Sequence, residues 1–282
     1  MEKIISGKVR EIYQVSEDRL AIVTTDRVSA FDVILPTPIP DKGKILNALS
    51  SFWFSYTEDI VKNHMISEDL QDMPQELQGE EFAGRTILVK KLKMLPFEFI
   101  IRGYLFGSMW KEYQKTGGFC SKECPAGMQQ AEKLPEPILT PSAKAEEGHD
   151  VNVSFQYMEE KLGSELAHKV CDAAMALYQR CYDYAYERGI IIADTKFEFG
   201  LDENGELVVA DEVLTPDSSR FWSREAYRTG TSPESFDKQY LRDWLIENGL
   251  DGKIPPPQLP EDVVAKTREK YLECRERLVD RG

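Results

Sequence analysis

The sequence predicts a soluble protein of mixed helix and antiparallel strand, divided into two domains. Three observations carry this. Residues 6–25 and 189–213 each alternate apolar and polar side chains and fold back at turn residues, as antiparallel hairpins do. Longer segments with apolar residues at helical spacing separate them. At 282 residues the chain is long enough for two cores. The expected division lies between residues 95 and 96, where a strand meets Pro96.

A hydrophobic content of 41% and a charged content of 30% are those of a globular protein. The formal net charge of −14 argues against a nucleic-acid binder. It leaves room for an anionic small substrate, because a local basic pocket outweighs a distant acidic surface. No run is apolar enough to span a bilayer, and the N-terminus lacks a signal-peptide pattern. Five cysteines and three histidines lack zinc-site spacing. Cys120 and Cys124 are four apart, and Cys171 and Cys181 lie in a helical pattern. Reduced thiols in a cytoplasmic protein are the simple reading.

The N-terminal hairpin runs through residues 6–15, turns at 16–19 and returns through 20–25. Lys8 and Arg10 are two apart and so on the same face of the first strand. Cations following a glycine can lie over phosphates, although an exposed strand face is often basic without that role. Residues 26–32 are a polar turn, and residues 34–40 hold three prolines, an extended connection. Residues 45–63 read as a helix, with Leu46, Leu49, Phe52, Trp53 and Tyr56 on one stripe. An acidic loop follows over 67–84.

Residues 86–95 and 97–102 are strands broken by Pro96. Arg102 and Ser108 then bracket a strand-to-helix change, whose free backbone N–H groups favour an anion. A capping serine beside an unrelated arginine explains the pair equally well. Residues 117–141 read as loop. Residues 140–150 are a polar segment with Lys144 and the His149-Asp150 pair, either a linker or an active-site wall. Ser154 caps the next helical region, with the stripe Leu166, Val170, Ala173, Leu177, Cys181 and Tyr184, and Gly189 suits its C-terminal cap. Further on, Arg220 sits in a turn near the second hairpin. Lys238 and Arg242 share a face of a helix over 235–245, and residues 261–280 form an outer closing helix.

The second hairpin carries the chemistry. Ile190, Ile191 and Ile192 signal a buried strand. From there Asp194, Lys196 and Glu198 point to one face, and Thr195, Phe197 and Phe199 to the other. Asn204-Gly205 is a strong two-residue turn signal. Such a turn pairs Glu203 with Glu206 and sets Glu198 opposite Asp211. Facing carboxylates repel, so a partner is needed. A divalent cation supplies it, and so does Lys196. Magnesium chooses carboxylate oxygens and keeps phosphate and water as its other ligands. A solvated edge hairpin is the plain alternative; the Phe197 and Phe199 face calls for burial instead.

Read together, these segments resemble the SAICAR synthetase family over nearly the whole chain. The resemblance rests on residues 6–13, 95–102, 107–108, 140–144, 192–200 and 217–222, in order. It implies an α+β fold of two domains. Residues 1–95 would form an antiparallel sheet resembling a kinase small lobe, and residues 96–282 a larger α+β domain akin to ATP-grasp proteins. It also implies a reaction in which carboxyaminoimidazole ribonucleotide (CAIR), L-aspartate and ATP give the succinocarboxamide, ADP and phosphate. By resemblance, Lys8 and Arg10 would lie over the ATP phosphates. Lys90, Lys144 and Met94 would belong to the nucleotide side, and Glu198 and Asp211 would bind Mg2+. Arg102, Ser108 and Arg220 would hold the ribonucleotide, with Lys238 and Arg242 on its phosphate. Asp194 and Lys196 would line the reacting centre, with Asp150 near the aspartate amine. Ala143 departs from the hydroxyl residue expected before Lys144.

The expected partners are these small molecules, with neither nucleic acid nor membrane, in a monomer or homo-oligomer. Two other readings use the same residues. A different ATP-dependent ligase or small-molecule kinase would share the nucleotide site, and a nucleotide-binding regulatory protein would tolerate loss of the carboxylate pair.

Overall fold

The computed structural model describes residues 1–119, 122–144 and 150–280. Cys120 and the polar-loop residues 145–149, including His149, lie outside the described residues.

The chain opens with β1 (Glu2–Ser6), β2 (Arg10–Gln14) and β3 (Arg19–Thr24). The alternation over 6–15 does not form one strand. A turn at Gly7, whose N–H donates to Arg10 O at 2.8 Å, separates β1 from β2. Lys8 is therefore in the turn, and only Arg10 is on the strand. The turn at 16–19 is present, closed by Val15 N–H to Arg19 O at 3.0 Å. A two-plus-two hairpin follows, β4 (Ser29–Ala30) and β5 (Val33–Ile34).

Helix α1 (Lys42–Tyr56) carries the expected stripe but stops short of residue 63. The chain instead enters β6 (Lys62–Asn63) and β7 (Met65–Ser67). Three short 3-10 turns occupy the acidic loop, and Met73 and Leu77 from it bury against Ala21, Val23 and Leu88. Then come β8 (Thr86–Lys90), β9 (Lys93–Met94) and β10 (Phe97–Tyr104). Among the described residues the first sheet is antiparallel and five-stranded, in the order β1-β2-β3-β8-β7.

After helix α2 (Gly107–Thr116) come the small strands β11 (Gly118–Phe119) and β12 (Lys122–Glu123). Next is β13 (Lys133–Ala143), where a loop was expected. Its prolines 135, 137 and 141 misled the reading. They are tolerated because β14 (Val151–Asn152) covers its other edge only at Ser142 and Ala143, so most missing N–H groups face no partner strand. Helix α3 (Phe155–Leu162) starts as expected, with Ser154 Oγ accepting from Tyr157 N–H at 3.1 Å. Helix α4 (Ser164–Glu187) ends before Gly189, whose φ is +80°.

The long strand β15 (Ile190–Leu201) is central to the second sheet, and β16 (Leu207–Ala210) and β17 (Ser219–Ser223) both pair with it. On its other edge β10 and β9 run in succession. The sheet continues outward from β10 to β13 and β14, and from β16 to β6 in parallel. Helices α5 (Gln239–Glu247) and α6 (Glu261–Arg275) follow. Helix α5 starts later than expected, after a turn in which Asp237 Oδ1 accepts from Gln239 N–H at 2.7 Å. This C-terminal segment is not an outer surface: Tyr271 and Cys274 of α6 and Leu278 beyond it join the main core.

That core packs α1, α4 and β17 against β15. Trp53, Phe99, Leu177, Cys181, Ile192, Phe197, Phe199 and Trp222 are all fully buried in it. The Thr195, Phe197 and Phe199 face of β15 is thus the core face. Its other face, carrying Asp194, Lys196 and Glu198, is left for chemistry.

Candidate active site

The hairpin register differs from the expected one by a single residue. Glu198 pairs with Ala210 and Leu201 with Leu207. The loop has three residues, not two. Asp202 N–H donates to Glu206 O at 3.0 Å, and Asp202 Oδ1 accepts from the N–H groups of Asn204 and Glu206. Gly205 alone turns left-handed, with φ +75°. The aspartate side chain rewards a longer loop than Asn-Gly by itself demands. Asp211 also has positive φ, +62°, where the strand ends.

Glu198 and Asp211 are nonetheless brought to one place. Lys196 Nζ lies 2.7 Å from Glu198 Oε1, 3.7 Å from Asp211 Oδ2 and 3.1 Å from Glu98 Oε1. Burial pushes this ammonium's pKa down, but Glu198, Asp211 and Glu98 outweigh burial and hold it above the usual lysine value. Lys144 also pairs with Glu198. Arg10 spans the two sheets, with Nη1 2.5 Å from Asp211 Oδ1 and Nη2 2.6 Å from Glu212 Oε2. Burial raises the pKa of Asp211 less than Arg10, Lys196, His64 and Lys144 lower it, so it stays ionised well below the usual range.

The like-charge repulsion expected between Glu198 and Asp211 is therefore already offset by cations of the chain itself. One ammonium reaches both carboxylates, so their oxygens converge around a single cation position. Among the described residues no group of three or more His, Cys, Asp or Glu side chains could hold a metal. Two carboxylates completed by phosphate and water are what magnesium ordinarily uses, so the donor set fits that ion and fits zinc poorly.

The other residues that the resemblance assigns to the nucleotide side sit in the first sheet and on β9. Lys8, in the Gly7 turn, pairs with Asp32. Lys90 is exposed at the end of β8. Met94 is exposed and pairs through its backbone with Gly200. Asp150 is exposed, and its charge adds to the burial that raises the pKa of Glu98, so it flanks the same cluster.

The N-terminal half of β15 has the opposite composition. Asp194 sits between Arg102 on β10 and Arg220 on β17, directly across both strand pairs. Arg220 pairs with its Oδ2, and Arg102 Nη1 lies 3.7 Å from the same oxygen. Thr140 Oγ1 accepts from Arg102 Nε at 3.0 Å. Arg220 packs against Gly107, where φ is +61° and a Cβ would stand 2.7 Å from Arg220 Nη2. Glycine suits the position, since a larger residue would be strained at that φ and would push the guanidinium aside.

Arg220, Ser108, Lys238 and Arg242 line one cleft of about 840 Å3. Arg102 does not join them. It is buried behind and reaches the group through Asp194, so the expected convergence of Arg102, Ser108 and Arg220 holds for the last two only. Lys238 is held from below by Asp217, 3.5 Å away, which also pairs with the fully buried Lys42 at 2.7 Å and accepts from Tyr271 Oη at 2.8 Å. Burial lowers the pKa of Lys238.

Sequence reasoning missed Glu98, Glu212, Asp217 and Lys42. Glu98 had a signal, since it shares a strand face with Arg102. Glu212, Asp217 and Lys42 act across elements distant in sequence and had none.

The family model described as SAICAR synthetase matches residues 3–257. The chain is 56% identical over 274 residues to a protein of Thioalkalivibrio sulfidiphilus, covering 96% of this chain and 93% of that one. It is 54% identical over 276 residues to one of Maridesulfovibrio salexigens, covering 96% and 92%. Both relatives are named phosphoribosylaminoimidazole-succinocarboxamide synthase. Among solved structures, the SAICAR synthase of Saccharomyces cerevisiae complexed with SAICAR superposes with a TM-score of 0.91 at 45% identity, covering 99% of this chain and 95% of that one. A SAICAR synthetase in complex with ADP superposes at 0.73 with 27% identity, covering 98% and 97%.

Proposed function

Because this chain belongs to the SAICAR synthetase family, we propose that the two charge clusters on β15 divide the substrates of one reaction between them. The chain is an ATP-dependent carbon–nitrogen ligase of purine biosynthesis. It condenses CAIR with L-aspartate to give SAICAR, ADP and phosphate.

A carboxylate is a poor electrophile, so it must be activated before an amine attacks. In this reading an oxygen of the CAIR carboxylate attacks the γ-phosphorus of ATP, the bond to ADP breaks, and an acyl phosphate forms. The aspartate amine then attacks the carbonyl carbon, phosphate leaves, and the amine loses a proton. Such phosphoryl transfer depends on positioning and charge neutralisation more than on covalent help.

The five-stranded sheet is the nucleotide lobe in this account. Lys8 and Arg10 cover the phosphates from the Gly7 turn and β2, and Lys90, Met94 and Lys144 belong to the nucleotide side. Glu198 and Asp211 would hold Mg2+ together with phosphate oxygens, where the ion neutralises phosphate charge. Lys196 keeps those carboxylates together and presents a fixed positive charge to the transferring group. Ser108, Arg220, Lys238 and Arg242 take the ribonucleotide in the cleft. Asp194 holds Arg220 at its post, with Arg102 behind it. Asp150 stands on the side of the aspartate amine. The cytoplasm is the proposed location.

The observation that carries the reading is the single ammonium of Lys196 shared by Glu198 and Asp211, on a strand whose other half serves a cation-lined cleft. The test is turnover of CAIR, L-aspartate and ATP with the product identified by mass. SAICAR formed in step with ADP is expected. Phosphate release that ignores aspartate would mark a kinase and contradict the reading.

A further inference from the structure

Residues 30–33 form an uncommon turn. The register pairs Ala30 with Val33 and Ser29 with Ile34, so Phe31-Asp32 is a two-residue hairpin loop. Both residues have positive φ, +50° at Phe31 and +61° at Asp32. That turn type ordinarily takes Asn-Gly or Gly-Gly. Aspartate tolerates the left-handed region; a bulky phenylalanine there is a genuine outlier. Strain of this kind persists where the surroundings impose it, and it concentrates at binding sites.

The surroundings do impose it. Val28 and Ala30 are buried with Leu35, Leu241, Leu245 and Val263, so the stem of the hairpin is fixed against α5 and α6. Helix α5 follows Lys238 and carries Arg242. The tip is thus rigidly placed relative to the cations of the cleft. Phe31 is 38% exposed and lines that cleft with Asp32, Arg220 and Arg242. Asp32 pairs with Lys8 of the Gly7 turn, which puts the tip where the cleft meets the nucleotide side.

We propose that Phe31 is a specificity-determining residue that packs its ring against the imidazole of the bound ribonucleotide. This rests on the assignment of the cleft to CAIR. The carboxylate to be phosphorylated is on the imidazole, so that ring must face the nucleotide side, and the 5′-phosphate must lie further along the cleft among the cations. An aromatic side chain at the nucleotide end therefore meets the heterocycle. Base–aromatic stacking ordinarily changes affinity by about tenfold or more. The left-handed backbone at Phe31 is retained because it delivers the ring there.

The proposal gives opposite signs to stability and binding. Phe31→Gly relieves the backbone, so the melting temperature should stay level or rise. The KM for CAIR should rise about tenfold, with the KM for ATP changed less than about twofold. Phe31→Tyr keeps the ring and should keep the wild-type KM for CAIR. Direct titration of CAIR into each variant without ATP should give the same order. An unchanged CAIR affinity in Phe31→Gly would overturn the proposal, and so would equal weakening of CAIR and ATP. Wild-type protein that binds CAIR and makes SAICAR while Phe31→Gly behaves identically sinks only this inference. Wild-type protein that does neither sinks the assignment of the cleft.

Discussion

The two ends of β15 solve the same electrostatic problem with opposite signs. At its N-terminal end one carboxylate, Asp194, lies between two arginines. At its C-terminal end one ammonium, Lys196, lies among three carboxylates. The residues are only two positions apart and share a face. The difference comes from their neighbours. The first end pairs with β10 and β17, which bring Arg102 and Arg220; the second pairs with β16, which Asp211 directly follows. Each end is left with surplus charge of one sign, even with Arg10, Lys144 and Glu212 counted at the acidic end, where four carboxylates meet three cations. Surplus positive charge suits a ribonucleotide phosphate, and surplus negative charge suits a metal that itself carries phosphates. One alternating strand can thus serve two ligands without two separate folds.

The largest effect should come from the acidic end. Asp211→Asn and Glu198→Gln should each lower turnover about a thousandfold at ordinary magnesium, because charge developing on the phosphoryl group loses its partner. Excess magnesium should restore the single variants partly. The hairpin considered alone suggests that removing a carboxylate relieves repulsion and leaves the protein as stable or more so. With Arg10 and Lys196 already bound to these groups, the sign reverses for Asp211. Asp211→Asn removes one of the two carboxylates that pair with the largely buried Arg10, leaving Glu212, and should cost about 1–2 kcal/mol in urea unfolding. Near wild-type turnover in either variant would reduce the acidic end to a structural ion cluster.

At the basic end the effect is smaller and selective. Arg220→Lys removes the planar fork that meets Asp194 and, as proposed, a phosphate of the ribonucleotide. The KM for CAIR should rise about 30-fold, with little change for ATP. Equal changes for both substrates would erase the distinction between the ends.

His64 tests how dry the acidic end is. It is buried behind Asp211, and burial pushes its pKa down to about 4. Below pH 6.5 the unfolded chain takes up a proton that the folded one refuses. Its contribution is complete above pH 6.5 and is lost as pH falls toward 4, by about 2 kcal/mol at pH 5. Urea midpoints measured from pH 7 to 5 should fall less steeply in His64→Gln than in the wild type; parallel slopes would place His64 in contact with water. The smallest effect concerns the hairpin that sets the register. Gly205→Ala forces a Cβ into a left-handed position and should cost about 1 kcal/mol, with turnover unchanged at saturating substrate.

Much of this was legible in the sequence. The alternation of β15 gave its two faces correctly, because Phe197 and Phe199 mark the core side without ambiguity. The N-terminal hairpin and the caps at Ser154 and Gly189 were readable for similarly local reasons. The misreadings were also local. Asn204-Gly205 predicts a two-residue turn, and Asp202 overrides it by accepting two backbone N–H groups. Lys8 and Arg10 look like neighbours on a strand until Gly7 is seen to start a turn. The prolines of β13 hide a strand that one-sided pairing permits. Long-range ion pairs were beyond reach: nothing near Asp217 announces Lys42, and nothing near Arg10 announces Glu212.

The roles given to both clusters turn on the proposal that the two halves of β15 bind different ligands. The direct measurement is calorimetric titration of Glu198→Gln and Arg220→Lys, each with magnesium ADP and, separately, with CAIR. A crossed result is expected. Glu198→Gln should lose at least about tenfold in affinity for magnesium ADP and keep CAIR binding, while Arg220→Lys should lose CAIR and keep magnesium ADP. Both variants losing the same ligand, or both losing both, would contradict it.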